Sequence, residues 1–322
     1  MGGRKGRLVS ALAFGIALAA TPVSAQQVTI AIATGGPGGV YHPLGVGMAE
    51  VLTKYLPGTT SIARVTGGSI DNLKLIGLRQ CEVALTMVDA ALDASRGRGR
   101  FRAAKVEVRT LMVLYPNRMH VVTIDGKGID TMADLKGKRV STGSPGSATE
   151  LMSLRLLDAL GFDRDKDMRR ERFGVADSVN ALKDGTIDAF FWVGGLPSAA
   201  VTELGATPGI KIKLIDQSDA VVAMNRKYGD IYTAGIIPAK TYPGQDKPNA
   251  IAVVQNILVA GASLPDQVAY DVVKTFIEKR DQLIAVHGEA QSIALENQSP
   301  RNSPIPWHPG AVKYFKARGL AM

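Results

Sequence analysis

The sequence predicts an α/β protein of two units, each a parallel sheet with helices on its faces. Three observations point there. Short β-branched runs alternate with stretches of helical period along most of the 322 residues, as strands do when crossover helices separate them. Glycine-rich turns follow several of these runs and lead straight into the next helical stretch. Hydrophobic residues make up 46% and charged residues 21%, ordinary globular material, and the length suits two domains of ~150 residues.

The chain opens with Arg4, Lys5 and Arg7, then an apolar run from Leu8 to Ala20, then the small residues Val23-Ser24-Ala25. This pattern predicts a secretory signal over residues 1–25, cleaved after Ala25. The run is short for a bilayer span, and no later stretch reaches the ~20 apolar residues a span needs. The mature chain is therefore expected to be periplasmic and not to span the membrane. Cys81 is the only cysteine, so neither an internal disulfide nor a lipidated cysteine at the cleavage site is expected. Removing the leader's three basic residues lowers the formal charge from +9 to +6, which permits steering of acidic ligands without demanding a polyanion. The basic stretch Arg96–Lys105 contains one aromatic residue, Phe101. Nucleic-acid binding would want more aromatic interleaving; a solvated loop or a protein-docking patch fits better.

The elements follow in order. Val28–Ala33 is an apolar strand, residues 43–56 a helix, Thr60–Arg64 a strand, residues 69–79 a helix and Val83–Thr86 a strand. Val108–Tyr115 and Val121–Ile124 read as strands, followed by a turn at Thr131–Leu135, a strand at Arg139–Thr142 and a helix at Thr149–Leu160. Ser178–Asp184 and Pro197–Leu204 flank a strand at Ala189–Trp192. Ala250–Val259 is a strand, Pro265–Glu278 and Asp281–Gly288 are helices, and the rest is a turn-rich tail with Pro300, Pro304, Pro306 and Pro309. Crossings near Asn117–Val122 and Lys247–Ile251 would make domain I discontinuous, residues 26–120 and 249–322, with domain II at 121–248. Ligands of open α/β sheets lie outside the carboxyl ends of the strands, so loops that follow strands would converge there.

Four segments could carry the function. TGGPGGVYHPLG, Thr34 to Gly45, packs four glycines and a proline into six residues. Such a turn exposes backbone amides beside a helix start, a site for an anionic group. It lacks the third glycine of a dinucleotide fingerprint and the Gly-Lys-Ser/Thr of a P-loop, so nucleotide binding is disfavoured; a purely structural turn stays open. VTGGSIDNL, from Val65, sets Ser69 at an N-cap position, as a ligand loop or a plain capped helix. STGSPGSATE, from Ser141, carries five hydroxyls and capping-box spacing between Ser147 and Glu150, a donor-rich nest suited to a carboxylate. DAFFWVGGLP, from Asp188, clusters three aromatics at a strand end in a chain with only 6% aromatics; ligand wall and core packing are equally open.

Together TGGPGGVYHPLG, TGGSIDNL, DLKGKRVSTGSPGSATE, FFWVGGLPSAA and HPGAVKYFKARGL resemble the TAXI family, the solute-binding subunits of one branch of tripartite ATP-independent periplasmic (TRAP) transporters. The resemblance runs from about residue 30 to the C-terminus. It implies a type II periplasmic-binding-protein fold: two α/β lobes joined by a two-strand hinge, with the ligand cleft between them. It also implies capture of a small carboxylate or amino acid, glutamate-like in the best-known relatives, and delivery to a membrane permease. The family's cleft residues would fall on Gly36, Gly38 and Tyr41, on Gly67 and Ser69, on Ser144, Ser147 and Thr149, and on Trp192 and Gly194. Two departures stand out. His42 replaces a second tyrosine, and Thr86-Met87-Val88-Asp89 stands where relatives often read Val-Gln-Ser-Asp. Met87 cannot make an amide's hydrogen bonds, which makes a ligand less polar than glutamate plausible. Asp89 is kept as a candidate ligand contact, with capping or solvation as its plainer roles.

An enzyme is disfavoured. His42, His120, His287 and His308 are scattered singly, with no metal-ligand spacing and no G-x-S-x-G elbow. Cys81 sits mid-pattern, as a buried inert thiol would. No cofactor and no metal are expected. A ligand-sensing partner of a membrane receptor would share the fold and cleft, and a secreted hydrolase is the remote alternative.

Overall fold

The computed structural model describes residues 1–3 and 28–322. Beyond its first three residues, the expected signal segment lies outside the described residues. The first lobe begins with β1 (Val28–Ala33), α1 (Tyr41–Tyr55), β2 (Thr59–Arg64), α2 (Ser69–Gly77), β3 (Val83–Met87) and α3 (Val88–Arg96). β4 (Val108–Ile124) leads into β5 (Arg139–Ser141), α4 (Ala148–Ala159), β6 (Arg169–Glu171), α5 (Val175–Lys183), β7 (Ala189–Gly194), α6 (Ala199–Ala206) and β8 (Ile212–Leu214). After α7 (Val221–Tyr228) and β9 (Thr233–Ile237), β10 (Asn249–Gly261) returns to α8 (Asp266–Glu278), α9 (Arg280–Val286) and α10 (Pro309–Ala317).

Both lobes share one hydrogen-bonded sheet, in the order β2-β1-β3-β10-β4-β7-β5-β6. β1 to β3 run parallel to one another, as do β5 to β7. The long strands β4 and β10 lie between these sets and run antiparallel to each other and to their neighbours. Two long antiparallel strands thus form the hinge, where the alternating pattern alone had suggested separate parallel sheets. β4 is one strand of 17 residues where two were expected. Pro116 sits inside it, beside an irregularity at which Gln255 pairs with Pro116 but Ile257 pairs with Val113. A bulge tolerates the proline, which has no ladder N–H to give, and re-aims the side chains next to it.

Three apolar clusters cover this sheet. One belongs to the first lobe, with Ile30, Leu44, Met48, Leu111, Phe276 and Phe315 among its buried members. Another belongs to the second lobe, around Val122, Val179, Leu182, Phe190 and Leu204. The third runs across both, joining Leu73, Met87 and Ala90 to Met119, Met152, Leu156 and Phe191.

Three helices had been missed, α3, α7 and α10. α3 hides its period behind alanines, because Ala90, Ala91 and Ala94 carry its buried face. α10 begins inside the expected tail, where His308 caps it by accepting from the Gly310 amide and Pro309 occupies the first turn, a position whose N–H is unpaired in any helix. Cys81 is buried. Phe101 of the basic stretch is buried too, packed into the shared core, and so is not a base-stacking surface. Among the described residues no helix is long and apolar enough to cross a membrane.

Candidate functional site

A cavity of about 250 Å³ lies between the lobes, at the carboxyl ends of β1, β2, β5 and β7. A cavity of about 150 Å³ already admits benzene, so this one has room for a small metabolite. From the first lobe, Gly36 and Gly67 reach it from the loops after β1 and β2, and Tyr41 and Ser69 from the first residues of α1 and α2. From the second, Ser144 and Ser147 come from the loop before α4, Thr149 from its first turn, and Trp192 and Gly194 from β7. Nine of the eleven residues expected from sequence therefore meet in one crevice.

Gly38 does not line it. At φ +84 it turns the chain against Val175, Ala176 and Ala200, and its carbonyl accepts the Ala200 amide at 3.2 Å. Asp89 does not line it either. The Asp89 carboxylate is fully buried and accepts from its neighbour Ala90 N–H at 2.7 Å and from the Tyr232 hydroxyl at 2.9 Å. Arg155 of α4 stands 3.9 Å from Asp89, donates to Asp93 at 2.7 Å and to the Tyr232 hydroxyl at 3.0 Å. Burial pushes the Asp89 carboxyl above its ordinary value, against the lowering effects of Arg155 and Tyr232. Asp89 thus belongs to an ion cluster that ties α3 to α4.

Two capping expectations are refined. Ser69 is the first residue of α2 rather than its cap, which is Gly68; the Ser69 hydroxyl accepts the Met87 amide at 3.2 Å. Ser147 does cap α4, accepting from Glu150 N at 3.1 Å. The reciprocal half of the box is absent because the Glu150 carboxylate turns to Arg172, at 2.5 and 3.0 Å. The aromatic cluster divides: Phe190 and Phe191 enter the core and Trp192 faces the cavity. Its ring lies so close to the first loop that a Cβ on Gly39 would sit 2.7 Å from Cζ2, so a side chain there would displace the ring. The Trp192 indole N–H is held by Ser198 at 2.7 Å.

The lobes are in direct contact. The Gly146 carbonyl accepts from two first-turn amides of α2, Ile70 at 3.0 Å and Asp71 at 3.1 Å, donors that a helix start leaves unpaired within itself. Ser144 donates to the Gly67 carbonyl at 3.3 Å. Gly146 holds φ +81, and a Cβ there would stand 2.2 Å from the Asp71 carboxylate. The two lobes thus touch beside the cavity, through Gly146 and Ser144.

The floor was not foreseen. Tyr115 and Asn117 of β4, on either side of Pro116, line the cavity with exposures of 1% and 2%. The Asn117 amide nitrogen donates to Asn256 Oδ1 at 2.7 Å, and the Tyr41 hydroxyl donates to the same oxygen. Asn117 Oδ1 and Tyr115 Oη have no partner among the described residues. Burial holds the Tyr41 and Tyr115 phenols well above their ordinary values, so both are neutral. Among the lining residues described, Asp177 is the only Asp, Glu, Lys, Arg or His. A polar residue on either side of a proline within an apolar strand was the available sequence signal.

Residues 32–319, which include the whole cavity, match the model of a known family. The chain belongs to the NMT1-like family. In fold this NMT1-like chain is similar to a solved protein of Bordetella bronchiseptica RB50, with 20% identity, 91% of this chain and 90% of that one covered, and a TM-score of 0.52. It is also similar to Tv2483 bound to L-arginine, with 12% identity, coverage of 83% and 90%, and a TM-score of 0.50. A further likeness is to the periplasmic aliphatic sulphonate binding protein SsuA from Escherichia coli, with 15% identity, coverage of 85% and 84%, and a TM-score of 0.48. The NMT1-like chain has the type II periplasmic-binding-protein fold.

Proposed function

We propose that the protein is a periplasmic solute-binding protein that captures a small carboxylate or amino acid between its lobes and delivers it to a membrane transporter. The observation that carries this reading is the cavity itself, walled by loops of both lobes and floored by hinge strand β4. A ligand there touches both halves at once, so its binding energy goes into closing the hinge. The hydroxyl of Thr149, whose oxygen already accepts the Val193 amide, would donate to a carboxylate. The first-turn amides of α4 would add to it. The motif resemblance makes the transporter a TRAP-type permease and the chain one of its TAXI-type subunits. The boundaries of its domains fall near residues 120 and 249, within the hinge strands.

The test is a thermal-shift screen of amino acids, dicarboxylates and other small organic acids on the mature protein, followed by calorimetry. At least one compound should raise Tm and bind at micromolar Kd, about −8 kcal/mol. Silence across the screen overturns the reading. Ser147→Ala with Thr149→Ala should weaken that compound at least about tenfold, through lost hydroxyl contacts and a lost helix cap; unchanged affinity would put the binding elsewhere.

A further inference from the structure

We infer that Ser198, Tyr242 and His120 are positioning residues of the solute site, a buried relay of hydrogen bonds that sets the Trp192 indole as a wall of the cavity before a solute enters. That the wall meets a solute rests on the function proposed above; that the relay orients it does not. The Trp192 indole N–H donates to Ser198 Oγ at 2.7 Å, and that hydroxyl donates in turn to the Gly195 carbonyl at 3.1 Å. The Ser198 backbone N–H donates to the Tyr242 hydroxyl at 3.1 Å, which lies 2.8 Å from His120 Nε2. His120 Nδ1 lies 2.9 Å from the Arg118 carbonyl, which can only accept. Nδ1 therefore carries the ring hydrogen, and Nε2 of the neutral imidazole is left to accept from Tyr242. Each link thus has one donor and one acceptor, and all three side chains are fully buried. The β-ladder closes the circuit, because His120 of β4 is the register partner of Trp192 on β7.

The surroundings of the ring fit such a tie. Trp192 is half-buried, and a Cβ on Gly194 would stand 2.9 Å from Ser198 Oγ and nearer still to the indole nitrogen. The bond thus crosses a place that only a residue without a side chain leaves open. On its other edge the ring meets Gly39 of the loop after β1, a contact made by the opposite lobe. No member of the relay comes from that loop: Ser198 and Tyr242 follow β7, and His120 stands on β4. The ring is therefore oriented from its own side of the cleft, and a side chain fixed in advance loses less freedom when it is covered. With its N–H committed to Ser198, Trp192 offers a solute ring surface and no donor.

Tryptophan emission tests this in the full mature protein, because the chain has two tryptophans, Trp192 and Trp307. In a Trp307→Phe background, acrylamide quenching reports on Trp192 alone; in a Trp192→Phe background it reports on Trp307, which packs against Phe315. Ser198→Ala should raise the quenching of Trp192 about twofold or more, as one hydrogen bond to the ring is lost, and leave that of Trp307 unchanged. Ser198→Thr, which restores a hydroxyl, should return it to the starting value. Tyr242→Phe keeps the packed ring and removes only the hydroxyl; it should raise Trp192 quenching by less, and it serves where Ser198→Ala does not fold. Calorimetry with the acid of the screen that raises Tm most should show Ser198→Ala binding about tenfold more weakly, since the ring must then be ordered on binding. Unchanged Trp192 quenching in Ser198→Ala, or in Tyr242→Phe, overturns the relay. An equal rise at Trp307 overturns it too, because the fold would have loosened everywhere. Full affinity in Ser198→Ala despite raised quenching would overturn its part in solute binding. A silent screen removes the proposed function, while the emission still decides the relay.

Discussion

The ion cluster around Arg155 and the floor of the cavity are both buried, both polar and both placed where the lobes meet, but they treat their polar atoms differently. Around Arg155 every charge has an answer: Asp93, Asp89 and the Tyr232 hydroxyl surround the guanidinium, and the Tyr228 ring lies 4.7 Å from it. On the floor, Tyr115 Oη and Asn117 Oδ1 are left without partners. A fully paired buried network rigidifies, whereas an unpaired buried polar atom costs stability. Pairing therefore sets the Arg155 cluster apart from the floor. Asp89, a sequence candidate for the ligand, falls on the structural side.

Four substitutions or conditions would break or sharpen that contrast. The largest effect belongs to Arg155→Ala, which strands two buried carboxylates; urea unfolding should show a loss of about 3–5 kcal/mol. A loss below about 1 kcal/mol, the range of exposed ion pairs, would mean that the cluster does not hold the lobes. Next is pH. Burial holds the His120 pKa down at about 4, against 6.5 for the free side chain, with its ring nitrogens bound to the Arg118 carbonyl at 2.9 Å and the Tyr242 hydroxyl at 2.8 Å. The fold binds neutral His120, so this stabilisation is complete above pH 6.5 and is lost as pH falls towards 4, about 3 kcal/mol in all. Unfolding free energies measured across that window should decline, and His120→Gln should flatten the decline. Ser147→Ala should follow at about 1 kcal/mol, the ordinary loss for an N-cap, seen in the same titration. Smallest is Tyr115→Phe without ligand, where denaturation should show no loss and up to about 1 kcal/mol of gain. A clear loss there would reveal a partner for the hydroxyl and erase the contrast.

The sequence made the loops legible because their chemistry is local. Glycines after a strand and a hydroxyl before a helix specify a turn and a cap with little help from the rest of the chain, and nine candidates met as a result. Ser69 kept its place at the site but lost its expected role, because Gly68 could adopt the φ of +118 that entry into α2 uses. Residues whose meaning depends on distant partners were opaque. Asp89 looks like any first-turn aspartate until Arg155 and Tyr232 fold against it. Tyr115 and Asn117 look like strand residues until the bulge in β4 and the side chain of Asn256 fix their orientation. The helix α3 escaped because alanine gives little periodic contrast.

The carbonyl of Gly146 resting on the start of α2 has a further consequence. Those two amides serve the meeting of the lobes. Two first-turn donors of α2 therefore have a protein acceptor only while the lobes touch, so parting them would return both amides to solvent.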